Sequence, residues 1–329
     1  MLLFSIRRIL ASILVLLASS FIVFLFAASS ADPLAEFRTR QPPPPPEFFA
    51  AKTEEYGLDK PMLVRYWDWL SGLLRGDFGN DINGQPVRPQ LLERLGTTGR
   101  MVILAMVLAV LLALVVGVVT AVRARKPVDY VLTTFSYVLI ALPVFWLAVL
   151  LKEFVALKVN DIVGRNVLFT IGEESPGIGS YGTPGEILRD RLLHLILPTI
   201  ALALFTYPAW SRFQRSSMLD VMSSDYMRLA RAKGLPYRKV LTKHGLRNAL
   251  IPLTTVVALG VGSIIGGAVI TETVFNWNGM GAFFFQNGLR DQDINVILGW
   301  LMVAAFFVVL FNLIADLLYA VLDPRIRLC

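Results

Sequence analysis

Residues 224–253 read SDYMRLARAKGLPYRKVLTKHGLRNALIPL, a polar, strongly basic insert between two apolar stretches, Leu192 to Trp210 and Ala249 to Ile270. Each stretch has the roughly 20 residues that a bilayer crossing needs. Ser224 and Asp225 are residue types favoured at helix N-caps, and helix formers follow from Tyr226 to Lys233. Gly234, Leu235 and Pro236 end the run, glycine by supplying a C-terminal cap and proline by lacking a backbone donor. A second short amphipathic helix is predicted from Tyr237 to about Lys243, with Val240 and Leu241 on one side and Arg238, Lys239 and Lys243 around the other. Two short helices set at an angle would form a knob between two membrane spans.

The composition supports that setting. Of 329 residues, 55% are hydrophobic and 17% charged, more apolar surface than one soluble core of this size can hide, so an all-α integral membrane protein is expected. The net charge of +7 does not point to nucleic acid, because the basic residues alternate with apolar spans instead of covering a soluble face. One cysteine, Cys329, and two histidines, His194 and His244, exclude an intrachain disulfide, a zinc cluster and a Cys/His nucleophile. The Gly-x-x-x-x-Gly-Lys-Ser/Thr phosphate loop is also missing from the sequence. No cofactor is therefore expected on this chain, and any ATP has to be bound elsewhere.

Ile9 to Ala28 follows Arg7 and Arg8 without a charge. It reads either as a signal peptide, with Ser29 and Ala31 at a cleavage site, or as a retained first helix; it exceeds the usual signal core of about 7–15 residues, which favours the helix. Residues 29–96 form a long polar excursion. Pro42 to Pro46 should be extended polyproline II, and beyond them Leu63, Tyr66, Trp67, Leu70, Leu73 and Leu74 recur at helical spacing. Tyr66, Trp67 and Trp69 suit a lipid headgroup region; a small packed extracellular subdomain is the alternative. Met101 to Val122, Val131 to Leu151, Leu192 to Trp210, Ala249 to Ile270 and Val296 to about Leu322 complete six spans.

Orientation follows from lysine and arginine. Arg7 and Arg8, Arg123, Arg125 and Lys126, the cluster from Arg212 to Arg247, and Arg325 and Arg327 fall on one side, with only Asp129, Asp220, Asp225 and Asp323 against them. Segments on the other side balance their bases with Glu54, Glu55, Asp59, Asp77, Glu173 and Glu174. Both termini and the knob are thus expected in the cytoplasm, and the long excursion after the first span outside. Within the spans, Pro143, Pro198 and Pro208 read as tolerated prolines or as hinges. Gly260, Gly262, Gly266 and Gly267 read as a packing surface or a pathway lining, Gly262 and Gly266 forming a small-xxx-small pair. His194 and Asp316 lie within a few turns of span ends, where water reaches them, so a proton relay is not expected of either.

Ala230, Ala232 and Gly234, followed after a fixed gap by His244, Leu246 and Arg247, resemble the "EAA" coupling loop of ABC-importer permeases. A basic juxtamembrane loop held near anionic lipid is the plainer reading of such a run. The general loop reads Glu-Ala-Ala, three residues, Gly, nine residues, Ile-x-Leu-Pro. Gly234 and Leu246 are in register with it, whereas Arg228, Leu229, His244 and Arg247 depart from it in the manner of the peptide branch, whose form is close to ARAKGL and HxLRNALIP. Three more segments resemble that branch: residues 57–79, GLDKPMLVRYWDWLSGLLRGDFG, its external loop; residues 272–293, ETVFNWNGMGAFFFQNGLRDQD, its external Trp-Pro-Gly-x-Gly segment, with Asn278 in place of proline; and NLIADLLYAVLDPRIRL, from Asn312, its C-terminal signature, which assigns Asp316 a structural role.

The resemblance implies the dipeptide/oligopeptide/nickel class of ABC importer and a type I importer permease fold over about residues 97–322, with a coupling loop at 212–248. A transmembrane helix (1–28) and an extracellular region (29–96) precede it, and a cytoplasmic tail (323–329) follows. It implies a non-catalytic, multi-pass subunit of the bacterial inner membrane that imports peptides by alternating access; nickel chelates, glutathione and oligosaccharides are the alternative cargoes of the branch. Implied partners are a second homologous permease, making a heterodimer, cytoplasmic ATPase chains that hold ATP and magnesium, an extracellular substrate-binding protein, and membrane lipid. ATPase coupling would fall to Asp225, Tyr226, Arg228, Leu229, Ala230, Arg231, Ala232, Lys233, Gly234, Leu235, Pro236, Tyr237, Val240, Lys243 and His244. The external mouth would be formed by Glu272, Phe275, Trp277, Gly279, Gly281, Arg290 and Asp291. An ion-coupled secondary transporter would need intramembrane coupling groups and internal repeats, and a membrane enzyme a catalytic constellation; the sequence offers neither.

Overall fold

The computed structural model describes residues 2–322 apart from positions 31, 33 and 40. Ala31 of the cleavage reading and the tail 323–329, with Asp323, Arg325, Arg327 and Cys329, lie outside the described residues. Among those described there is no strand, only an isolated bridge between Asn80 and Pro86. The helices are α1 (Leu2–Ser30), α2 (Ala35–Thr39), α3 (Pro46–Glu55), α4 (Met62–Leu74), α5 (Val87–Val122), α6 (Pro127–Ala141), α7 (Val144–Leu150), α8 (Leu157–Val163), α9 (Ile178–Tyr181), α10 (Pro184–Ser223), α11 (Asp225–Ala232), α12 (Tyr237–Lys239), α13 (Arg247–Leu259), α14 (Val261–Phe275), α15 (Met280–Phe283) and α16 (Ile294–Leu322). π-Helical turns at Leu151–Ala156, Val240–Leu246 and Phe284–Arg290 join α7 to α8, α12 to α13, and α15 to the approach of α16.

Four helices are long and apolar enough to cross a membrane, in α1, α5, α10 and α16, and two bent pairs raise the number to six among the described residues. The bent pairs correct the expected spans. Val131 to Leu151 is not one kinked helix: 127–141 and 144–163 meet at 110°. Leu142, the residue before Pro143, is extended at φ −86°, ψ 126°, because the proline ring disfavours helical backbone in the residue ahead of it. Ala249 to Ile270 likewise divides at Gly260, with a bend of 57°. By contrast α10 runs unbroken for 40 residues through Pro198 and Pro208, started by a reciprocal capping box between Thr183 and Glu186.

By contacts the chain forms two compact units, one built on residues 99–277 and the other on residues 6–98 and 278–309. In the first, α5 presents Met101, Ala105, Ala109 and Ala113, all at most 1% exposed, to Leu202, Tyr207 and Trp210 of α10 and Ile264 and Ala268 of α14. The four-residue spacing keeps small side chains on one face, so the backbones approach closely. One turn on, a Cβ at Gly117 would lie 2.7 Å from Gln214 and 2.8 Å from the Ser211 carbonyl, so only glycine fits there.

In the second unit the excursion after α1 is packed. Phe24 and Ala27 of α1 meet Ile297 and Leu298 of α16, with Tyr66 and Trp69 of α4 against them. Leu34, Phe37 and Ile82 gather Phe48, Phe49 and Tyr56 into a second cluster. The proline run ends one residue early, because Pro46 opens α3, a position where its missing donor costs nothing. The turn at 80–86 is fastened by carboxylates: Asp81 accepts from the backbone N–H of Asn83 (2.9 Å) and Gln85 (2.8 Å), and Asp293 from that of Ile82 (2.7 Å).

Candidate functional site

The basic insert is built on the end of α10. Ser224 breaks that helix with extended backbone (φ −69°, ψ 154°) and so lies at the N-cap of α11. Its side chain does not cap, as its residue type suggested: the hydroxyl turns back and donates to the Val221 carbonyl at 2.5 Å, closing α10 instead. Asp225 pairs with Arg228 across the first turn of α11. Gly234 ends the segment at φ +72°, the left-handed region that lets the chain reverse, and Pro236 leads into α12. The second helix is not short. From Tyr237 it continues through the π-helical turn into α13, so the second arm is the start of the next span.

Packing divides the expected coupling residues into two sets. Met227, Ala230 and Val240 are buried together, with Val221, Met222 and Leu235 against them. Gly245 lets the Met218 and Met227 methyls approach to where a Cβ would be 3.2 Å from each. Ala230 and Val240 therefore hold the two arms together and present no surface for docking, because burying them inside this chain is what fixes the angle; Leu235 is half-covered by the same cluster. The outward set comprises Tyr226 (42% exposed), Leu229 (57%) and Tyr237 (50%), with Asp225, Arg228, Arg231, Ala232, Lys233, Gly234, Pro236 and Lys243 exposed around them and His244 half-buried. The result is two exposed apolar side chains one turn apart on α11, Tyr226 and Leu229, and a third, Tyr237, on α12, set among cations on a two-armed support with its own core. Such a surface can seat in a groove of matching shape, the charges fixing register against acids.

A brace near this site was not singled out from the sequence. Asp129, 5% exposed at the start of α6, receives Arg215 of α10 through Nε (3.1 Å) and Nη2 (2.9 Å), and also accepts from the Arg125 N–H (2.9 Å) and the Thr133 hydroxyl (3.1 Å). Planar two-point pairing of this kind fixes direction as well as distance. The signal was a lone acid, Asp129, three residues after the bases Arg123, Arg125 and Lys126.

The glycines of the fifth span separate as well. Gly260 and Gly267 pack on α10, where a Cβ would come within 2.9 Å of the Trp210 ring and 3.0 Å of Leu202 Cδ1. Gly266 is exposed with open space beside it, and Gly262 is half-buried. The residues expected at the external mouth also differ in burial within this chain. Glu272, Phe275 and Trp277 are at most 2% exposed, packed in the interior of the first unit. Asn276, at φ +48°, turns the chain between them. Gly279 and Gly281 are buried in the second unit; Arg290 and Asp291 pair at 3.7 Å, the arginine exposed and the aspartate partly covered.

His194 is buried and stacked on Phe169 at 4.0 Å, with Nδ1 2.8 Å from the Asp190 carbonyl, while the Asp190 carboxylate accepts from the N–H and hydroxyl of Ser175, both at 2.7 Å. The pair fastens the loop that follows α8, a structural use of a polar group near a span end.

This geometry has known relatives. Over residues 113–328 the sequence matches the family described as binding-protein-dependent transport system inner membrane component, and over residues 1–92 the N-terminal family of such membrane components. It is 40% identical over 321 residues to the oligopeptide transport system permease protein OppB of Mycobacterium tuberculosis, covering 98% of each chain. It is 38% identical over 325 residues to AppB of Bacillus subtilis, again 98% of each, and 34% identical over 284 residues to the dipeptide permease DppB of Escherichia coli, 83% of each. In three dimensions it resembles a chain of the MetNI methionine ABC transporter, solved in inward facing conformations, with a TM-score of 0.56, 17% identity, and coverage of 71% of this chain and 96% of that one. Full-length likeness, several apolar crossings and that shared fold lead to one assignment: the chain is a multi-pass membrane protein and belongs to the family of inner membrane components of binding-protein-dependent transport systems.

Proposed function

We propose that this chain is the membrane-spanning permease subunit of an ATP-driven ABC importer for peptides, in a bacterial inner membrane, with both termini and the α11–α12 knob in the cytoplasm. The observation that carries the reading is the outward set of Tyr226, Leu229 and Tyr237, exposed among cations on a support with its own core. This outward surface seats in a cytoplasmic ATPase, on which ATP and magnesium are bound. Closing of the ATPase pair moves the knob, and because α10 is a single 40-residue helix, movement at its end is carried along the span. This chain and a second, related permease then open outward in turn towards a loaded extracellular binding protein. Peptide cargo is supported by extended likeness to proteins named oligopeptide and dipeptide permeases.

The test is mild-detergent purification of the tagged full-length chain from its native membrane, with identification of what accompanies it and assay of ATPase stimulation by peptide. Recovery of an ATPase, a second permease and a peptide-binding protein is expected. Recovery of this chain alone, under conditions that preserve other ABC complexes, would overturn the proposal.

A further inference from the structure

The apolar arc of α4 is wider than the surface its neighbours cover. Tyr66 and Trp69 turn inward: the Tyr66 hydroxyl lies 2.9 Å from Ser20 Oγ, its ring 5.1 Å from Phe21 and 5.5 Å from Phe24, and Trp69 is 5.5 Å from Phe24. At 3.6 residues per turn Leu63, Trp67 and Leu74 fall on one strip about 40° wide beside that packed face, and they are 68%, 67% and 79% exposed. Arg65 and Asp68 project from the opposite side, where Asp68 pairs with Lys60 at 2.9 Å.

Depth identifies what covers the strip. The apolar span in α1 is Ile6–Ser29, so Ser20 and Phe24 stand nine and five residues inside its Ser29 end, about 7–14 Å along the axis at about 1.5 Å per residue. The packed side of α4 therefore rests on a part of α1 that lies within hydrocarbon, and Ile22, Leu25 and Phe26 of that stretch are themselves 51%, 40% and 66% exposed. A helix with one apolar and one charged side, held at that level, matches an interfacial helix, which sinks roughly 5–10 Å into the headgroup and acyl boundary. Tryptophan is favoured at that depth.

We propose that α4 lies in the phospholipid interface of the leaflet at the Ser29 end of α1, with Leu63, Trp67 and Leu74 inserted among acyl chains. The helix then straps the 29–96 region to the bilayer beside the first span. This inference does not depend on cargo or on which ATPase is bound.

The experiment places a nitroxide at Leu63→Cys, Trp67→Cys or Leu74→Cys, with Asp59→Cys as the aqueous reference, each in a Cys329→Ser background. The full-length chain is reconstituted, with the subunits that co-purify, in phosphatidylethanolamine–phosphatidylglycerol bilayers, and collision with oxygen and with a water-soluble nickel chelate is read by power saturation. All three strip positions are expected to favour oxygen and exclude the chelate, with the reverse at position 59. Chelate access at the strip would overturn the proposal by placing α4 in water, and low access to both reagents would overturn it by placing a protein partner there. Trp67→Phe supplies a reading without a label: it should remove a part of the tryptophan fluorescence that brominated phospholipid quenches, and an unchanged quenched fraction counts against insertion.

Discussion

At the scale of single residues, two positions have consequences that their type alone does not give. Gly234 holds φ +72°, yet a Cβ there would meet nothing within 4 Å. Substitution therefore costs backbone strain, about 1–2 kcal/mol, and no clash. Asparagine tolerates this region, as the chain itself shows at Asn276, φ +48°, whereas a β-branched residue does not. Gly234→Asn should keep peptide-stimulated ATPase activity near the parent level, and Gly234→Val should lower it several-fold with the protein still inserted; equal activity of the two would remove the turn from the coupling argument. Asp293, 3% exposed, is the second position. Burial pushes its carboxyl from 3.8 up to about 6, against the opposing N–H groups of Val296 and Ile82, and Asp81 adds like charge. Because the folded value is the higher one, the folded chain binds more protons between about pH 4 and 6. Stability should fall as pH rises through that window, by up to about 3 kcal/mol for two units. Thermal midpoints measured from pH 4 to 7.5 should show this slope, and Asp293→Asn should flatten it; an unchanged slope would exclude Asp293 as its source.

At the scale of elements, the join of α6 to α10 carries a prediction of its own. Asp129 is nearly buried and receives Arg215 at two points, so removal of one partner leaves a charge without its counter-ion. Arg215→Ala should destabilise the protein by roughly 3–5 kcal/mol, while Asp129→Asn with Arg215→Gln recovers much of the loss. A double-mutant cycle on thermal unfolding reads the coupling directly, and additive losses would show that the pair is not a brace. Arg215→Lys should fall short as well, since a point charge lacks the fork. What the sequence made legible at this scale was helix and span, because a run of about 20 apolar residues leaves few alternatives in a bilayer. Breaks were less legible. Pro143 separates two helices at 110° while Pro198 and Pro208 sit inside a continuous one, and a proline's own chemistry is the same in all three cases. The difference lies in which neighbours hold the segment, and that is tertiary information. For the same reason, the ladder of Tyr66, Leu70 and Leu73 predicted α4 closely, yet only packing shows which part of its apolar arc is left uncovered.

At the scale of the whole molecule, the sequence motif of the knob mixes two physical roles that only the fold separates. The pattern placed Ala230, Val240, Tyr226 and Leu229 in one group; the structure buries the first two at 6% and 0% exposure and leaves the others at 42% and 57%. A motif therefore records both what holds the knob together and what the knob offers to a neighbour. The two roles predict opposite outcomes for the same substitution. Leu229→Asp places a carboxylate in water, which changes stability by no more than about 0.5 kcal/mol. It should leave insertion and the thermal midpoint near those of the parent while abolishing peptide-stimulated ATPase activity in the reconstituted transporter. Val240→Asp buries an unpaired carboxylate between α11 and the π-helical turn, a change that costs several kcal/mol. It should lower the thermal midpoint and the yield, and any loss of activity should follow the loss of folded protein. Activity per folded molecule is thus the quantity to measure. A Leu229→Asp protein that folds and still couples would move the docking surface away from α11, leaving Tyr237 and the exposed face of α12 as the part of the knob that meets the ATPase.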